Sequence, residues 1–136
     1  MPVDAQIVLG SAGQEGPHGV SALGLGWQVR PPEPMPWAVV VVILAPRELI
    51  GTELPAYVLL EDYAGTVLTS GGKQCRVDFD AAPEGITEGL ESPVVHPYSF
   101  TLPPLRLEPD REYRFRLWVD GETRDGWIAP FRTTSE

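Results

Sequence analysis

The chain has 136 residues and a formal net charge of −9 at pH 7, and its ten basic residues are nine arginines and Lys73, scattered along the sequence. This length suits one domain that buries about two-thirds of its unfolded surface, so we predict that residues 1–136 form a single domain. The acidic balance and the lack of a basic stripe argue against nucleic acid as a partner.

Cysteine usage and the first residues indicate the compartment. The single cysteine, Cys75, cannot form an intrachain disulfide, which suits a reducing environment. The opening segment MPVDAQIVLG has neither a basic start nor a long apolar core, and the longest apolar run, Trp37–Ala45, is too short to span a membrane. We therefore predict a cytoplasmic protein with no membrane partner and no secretion through a signal peptide.

Apolar residues alternate with a period of two along most of the chain, which predicts strands rather than helices. The first predicted strand is Val3–Leu9, and a glycine-rich connection follows it. The second is Leu23–Arg30, with Trp27, Val29 and other apolar residues on one face and Gly24, Gly26 and the polar Arg30 on the other. The third, Trp37–Leu44, is apolar on both faces, which is typical of a central strand covered on each side.

The rest of the chain continues as short strands separated by turns. One helical turn is predicted within residues 46–55, and a long irregular loop is predicted over Asp80–Pro97. Val67 and Leu68 are expected to continue the pairing of the strand before them. The remaining predicted strands are Ala56–Glu61, Lys73–Phe79, Tyr98–Leu102, Tyr113–Val119 and Trp127–Thr133.

A local pattern before one of these strands indicates the fold type. Leu107, Pro109 and Tyr113 have the spacing of the tyrosine corner of immunoglobulin-like and fibronectin type III sandwiches, in which the phenol hydroxyl bonds to upstream backbone. Together with the alternation, this predicts an all-β chain folded as a single antiparallel, immunoglobulin-like β-sandwich of about seven or eight strands. Its core is expected to contain Trp27, Phe115, Leu117 and the residues Val39, Val41 and Ile43.

Several segments resemble a known group of sequences. The segments are GLGWQV, WAVVVVIL, LLEDYAG and the ending LPPLRLEPDREYRFRLWVDGETRDGWIAPFRT. They are similar to a family of short proteins of unknown function encoded in actinobacterial genomes and in some of their phages. The resemblance covers nearly the whole chain, and it implies a small β-domain of host or phage origin without implying an activity.

No residue pattern predicts catalysis, a metal site or a cofactor. His18 and His96 lie far apart and have no neighbouring ligands at metal-binding spacing, and Ser21 lacks the glycine spacing of a nucleophile elbow. Cys75 is expected to be an inert cysteine on an apolar strand face. The acidic residues of region 78–91, which are Asp78, Asp80, Glu84, Glu88 and Glu91, are expected to be solvated, and whether they bind a cation stays open.

One strand face combines residue types that are enriched at protein interfaces. Period-two geometry places Trp118 beside Arg114 and Arg116, opposite the predicted core face. Trp127, and the bare positions Gly24 and Gly26, are the other candidate binding residues. The alternative is that the Trp118 ring packs under the hairpin of residues 120–126 or against Trp127.

These observations predict a non-catalytic interaction or structural module. It would dock to a protein partner, to copies of itself or to a larger assembly, and the resemblance makes a phage virion, as a capsid decoration protein, one concrete location. The alternative function is a carbohydrate-binding or small-ligand-binding domain that uses Trp27, Trp37, Trp118 or Trp127 as a platform.

Overall fold

The computed structural model describes residues 3–16, 19–82 and 94–135. These residues form an all-β structure with a single turn of 3-10 helix at Arg47–Leu49. None of the described segments contains a helix that is long and apolar enough to span a membrane. The strands within the described residues are β1 Asp4–Gly10, β2 Ala12–Gly16, β3 Gly19–Leu23, β4 Val29–Arg30, β5 Trp37–Ala45, β6 Leu54–Asp62, β7 Thr69–Ser70, β8 Lys73–Gln74, β9 Arg76–Ala81, β10 Val94–Leu102, β11 Glu112–Val119 and β12 Ile128–Thr133.

The strands belong to several sheets. A three-stranded sheet has the order β1-β5-β10, and a five-stranded sheet has the order β4-β12-β11-β6-β9. Two hairpins, β2-β3 and β7-β8, form separate two-stranded sheets. The all-β prediction is confirmed. The expected single antiparallel sandwich is too simple, because there are several sheets and β4 pairs with β12 in parallel.

One hydrophobic cluster draws side chains from both larger sheets. In β5, alternate residues including Val39, Val41 and Ile43 face this cluster, and β11 contributes Phe115 and Leu117. All five are buried, as predicted, and the alternating residues of β1 are buried with them. Trp27 differs in degree, because it is half-buried and packs against the cluster through an edge contact with Phe131.

The glycine-rich connection after β1 forms the β2-β3 hairpin instead of a loop. Gly13 explains why the hairpin lies close to β10, since a Cβ atom at this position would overlap the Ser99 hydroxyl. The Ser99 amide also donates a hydrogen bond to the Glu15 carboxylate, with 3.1 Å between the two atoms. Glycine weakens a strand in isolation, so tertiary contact stabilises the hairpin here.

The predicted strand Leu23–Arg30 is wrong over most of its length. Leu23 ends β3, and the following turn contains Gly24 and Gly26 at φ values of 65° and 87°, a region that favours glycine. Only Val29 and Arg30 form a strand, and their burial is the reverse of the predicted pattern. Val29 is exposed, whereas Arg30 is only 2 % exposed.

Two boundaries near the edge of the five-stranded sheet also differ. The predicted strand Lys73–Phe79 is interrupted at Cys75, whose amide donates to the Leu68 carbonyl while its carbonyl accepts from the Leu60 amide. The predicted loop Asp80–Pro97 is shorter, because β9 extends to Ala81 and β10 begins at Val94. The intervening residues 83–93 lie outside the described residues.

The other strand predictions hold to within a few residues, as does the turn at Arg47–Leu49. The hydrogen bond predicted for the tyrosine corner is present. The Glu108 amide donates to the Tyr113 hydroxyl at 3.1 Å, and the Tyr113 ring is buried against Phe131.

Candidate functional site

The outer face of the five-stranded sheet carries the predicted interface residue Trp118. Its ring stacks on Tyr57 of the neighbouring strand, with 6.0 Å between ring centroids and an interplanar angle of 15°. The Arg76 guanidinium covers the Tyr57 ring at 3.9 Å and pairs with Asp78. Trp118 is thus half-buried among side chains of its own sheet, and its ring partner is Tyr57 rather than Trp127.

Arg114 and Arg116 lie beside Trp118 on this face, as predicted, and both are ion-paired. Their Nε atoms lie 2.6 Å and 3.0 Å from the same Glu61 carboxylate oxygen, and Glu61 is buried. Leu59, which lies between these groups in the register, is also buried although it points away from the core. The arginine stems and rings therefore cover this face, and both guanidinium groups pair with Glu61, which leaves these three side chains with one net positive charge.

The remaining predicted binding residues are dispersed. Trp127 is only 1 % exposed and belongs to the core, with the Arg124 guanidinium over its ring at 4.9 Å, so it offers no surface to a partner. Gly24 permits close approach of Ser11 from its own chain, whereas Gly26 has no atom within 4 Å of an added Cβ. The structure does not bring these three residues together with Trp118.

The outer face of the three-stranded sheet has a different composition. The residues of β5 that point outward are Ala38, Val40, Val42 and Leu44, all apolar. The β2-β3 hairpin lies against β10 and β5 at one end of this face, where Ala38 and Val40 are buried. At the other end Val42 and Leu44 are only half-buried.

The apolar area continues onto β10, which pairs with β5. Val95 lies opposite Leu44, and Pro97 lies opposite Val42. Directly opposed residues have Cβ atoms about 5 Å apart, so these four side chains adjoin one another. We call Val42, Leu44, Val95 and Pro97 the outer apolar patch. Sequence alternation could not find it, because its identification requires the β5-β10 register.

A cleft lies between the two larger sheets. It has a volume of about 270 Å³ and is lined by residues of β5, β6, β9 and β11, by Cys75, and by the segment after β10. Arg30, which sequence reasoning placed on a polar face, helps to fix that segment by donating to the Leu105 carbonyl at 3.2 Å. Burial lowers the pKa of the Arg30 guanidinium, against the opposing effect of Glu33.

Groups that would hold a metal ion are not found among residues 3–16, 19–82 and 94–135. Of the acidic region 78–91, Asp78 pairs with Arg76 and Asp80 is exposed at the end of β9. Glu84, Glu88 and Glu91, like His18, lie outside the described residues. His96 lies in β10, where its ring stacks on Tyr98 at 4.6 Å, rather than in a loop.

Comparison of the sequence with protein-family models gives no match, and comparison with curated proteins gives none. The resemblance to actinobacterial and phage proteins therefore stays a prediction.

Proposed function

We propose that this protein is a non-catalytic interaction module that docks to a second copy of itself through the outer apolar patch. The observation that carries the proposal is the contrast between two outward faces of one molecule. The five-stranded sheet presents ion pairs such as those of Glu61 with Arg114 and Arg116, whereas the three-stranded sheet presents Val42, Leu44 and Val95. Apolar sheet faces are normally covered.

The neutrality of the outer apolar patch supports a second copy as the occupant, because the net charge of the chain opposes self-association through the rest of its surface. A twofold contact places the same surface patch opposite itself, so any net charge in the patch repels its copy. With a net charge of −9 on each chain, self-association must use a nearly neutral face. The outer apolar patch contains no charged side chain, and Asp4, opposite Leu44 in β1, is its acidic cross-strand neighbour.

Docking through a face fits the character of the β10 edge. Among the described strands β10 pairs only with β5, and on its other edge the Ser99 amide bonds to the Glu15 side chain rather than to a strand. Pro97 lies within β10 and has no amide hydrogen to donate to a ladder. Proline on an edge strand opposes edge-to-edge pairing, which leaves face-to-face packing as the available contact.

We propose further that the two larger sheets form an immunoglobulin-like sandwich. The shared hydrophobic cluster and the hydrogen bond from the Glu108 amide to Tyr113 support this assignment. A sandwich of this kind would serve as a rigid support for the docking face. Attachment to a larger assembly, such as a phage capsid, would use the same outer apolar patch, and it stays a prediction.

The test is the oligomeric state of three variants, measured by sedimentation velocity over a range of protein concentrations. Val95→Glu places a charge in the patch, and we expect it to weaken self-association at least tenfold, which corresponds to about 1.4 kcal/mol. Val29→Glu is the matched control. Val29 is 61 % exposed and Val95 is 59 % exposed, and both lie on edge strands, but they belong to different sheets.

The control should associate like the wild-type protein. A wild-type protein that stays monomeric at millimolar concentration would overturn the proposal. So would Val95→Glu associating normally, or Val29→Glu losing association equally. Trp118→Ala tests the face originally predicted from sequence, and loss of association in this variant, with Val95→Glu unaffected, would move the interface to the five-stranded sheet.

The alternative ligand-binding function needs a different form from the one predicted. Trp37 and Trp127 cannot serve as a platform, because they are buried in the core. Trp27 and Trp118 are half-buried and pack on Phe131 and Tyr57 of their own chain. The cleft between the two larger sheets is the feature that favours a small-ligand function.

A further inference from the structure

The cleft lies where the edges of the two larger sheets face each other. Its floor consists of buried apolar side chains from both sheets, namely Val39, Val58, Leu60 and Phe115. Its mouth is formed by exposed residues of the β7-β8 hairpin and of the segment 103–105. Next to the cleft, Phe79 of β9 packs on Phe100 of β10, with 4.8 Å between the ring centroids.

The segment 103–105 is held in place before any ligand arrives. The Trp37 indole N–H donates to the Pro103 carbonyl at 2.8 Å, and Arg30 donates to the Leu105 carbonyl at 3.2 Å. The Leu107 amide donates to the Pro32 carbonyl at 2.9 Å. A mouth fixed in this way avoids much of the ordering cost that weakens binding by mobile loops.

The floor of the cleft selects against polar ligands. Its aliphatic and phenyl side chains carry no hydrogen-bonding groups, and the Trp37 N–H is already engaged by Pro103. A sugar placed here would leave hydroxyls without partners, at a cost of about 1–3 kcal/mol for each one. The part of a ligand that reaches the floor is therefore apolar, which excludes carbohydrate from this cleft.

The mouth has the opposite preference. Lys73 is the only lysine of the chain and lines the mouth beside Ser70 and Gln74. Among the described ion pairs no carboxylate partners Lys73. An ammonium group that has no carboxylate partner among the described residues, at the rim of an apolar cleft, complements an anionic group on an apolar body.

We propose that the cleft binds a small monocarboxylate with an apolar body, such as a medium-chain fatty acid, with the carboxylate at Lys73. The size of the cleft agrees with this class, because an engineered cavity of about 150 Å³ binds benzene and this cleft measures about 270 Å³. The site is separate from the outer apolar patch, which lies on the far side of the three-stranded sheet. The proposal therefore stands or falls independently of self-association.

Cys75 provides a specific reporter, because it is the sole cysteine and lines the cleft. The full chain is treated with uncharged dithiodipyridine, and the rate of thiol modification is followed as decanoate or decanol is added. Burial raises the pKa of the Cys75 thiol, so the reaction is run at alkaline pH, where the thiolate is present. We expect both probes to slow the reaction saturably, decanoate at about three- to fivefold lower concentration, which is the effect of a partly exposed ion pair.

Lys73→Gln should remove the preference for decanoate and leave protection by decanol unchanged. Arg132→Gln, which removes an exposed cation on the outer face of the five-stranded sheet, is the matched control and should keep the preference. Failure of decanoate to protect Cys75, or an unchanged preference in Lys73→Gln, would overturn the proposal. Methyl NMR spectra give a second readout, and decanoate-induced shifts that avoid Val39, Val58 and Leu60 would also overturn it.

Discussion

Two phenylalanines in the core allow a quantitative test of how the cleft affects packing. Phe115 of β11 and Phe131 of β12 are diagonal neighbours on paired strands, because Phe131 lies opposite Tyr113. Each is 3 % exposed, so the transfer free energy lost on truncation is matched. Their surroundings differ. Phe115 lines the cleft and has ring contacts with Trp37 and Phe131, whereas Phe131 has four ring partners and does not line the cleft.

The expected losses follow from these contacts. Truncation of a buried phenylalanine to alanine costs about 3–5 kcal/mol, and each aromatic pair contributes about 0.5–1.5 kcal/mol. Phe115→Ala enlarges a cleft that is already open to solvent, so we expect a loss near the lower limit, about 3 kcal/mol. Phe131→Ala removes two more ring pairs and creates a closed cavity, so we expect about 5 kcal/mol.

Urea unfolding followed by circular dichroism measures both free energies, with an unchanged dependence on urea as the check that the unfolded state is comparable. The reasoning requires Phe131→Ala to be the more destabilising variant by at least about 1 kcal/mol. Equal losses, or a larger loss for Phe115→Ala, would show that the cleft does not reduce the packing contribution of its floor.

Three further predictions concern individual polar groups. Tyr113→Phe removes the acceptor of the Glu108 amide and should lower the free energy of unfolding by about 0.5–1.5 kcal/mol in the same urea assay, and an unchanged value would mean that this bond contributes nothing. Arg30→Lys cannot reproduce the bonds from the guanidinium to the carbonyls of Pro31, Glu33 and Leu105, so we expect a loss of about 3 kcal/mol in thermal or urea unfolding, whereas a loss below 1 kcal/mol would refute this role. Burial raises the pKa of the Cys75 thiol above its ordinary value of 9.0, so the folded state binds the thiol proton more tightly than the unfolded state does. The free energy of unfolding should therefore keep this contribution below pH 9.0 and lose it as the pH rises through the folded pKa. Cys75→Ala should remove this part of the decline in urea titrations at increasing pH.

Sequence reasoning predicted the elements whose burial follows from local alternation. The strands β5 and β11, with Val41 and Phe115 on their core faces, are examples. The tyrosine corner was also accessible, because Leu107, Pro109 and Tyr113 are close in sequence. These features depend on neighbouring residues, so their pattern is written in a short segment.

The missed features depend on contacts between distant segments. Arg30 breaks the alternation because carbonyl groups from residues 33 and 105 surround it, and no periodicity reports on them. The β2-β3 hairpin depends on the close approach of Gly13 to Ser99. Its glycine-rich sequence, taken without that contact, predicts a loop. The outer apolar patch and the cleft likewise combine residues from strands that are far apart in the chain.

The position of β5 has a consequence for synthesis of the protein. This strand pairs with β1, which precedes it, and with β10, which is made much later. During translation WAVVVVIL therefore emerges with one edge unpaired and both faces uncovered, and a short segment rich in valine with no charge is prone to form intermolecular β-structure. Pro36 and Pro46 bracket the segment, and prolines in such positions act as gatekeepers that limit the growth of an aggregate from the nascent chain.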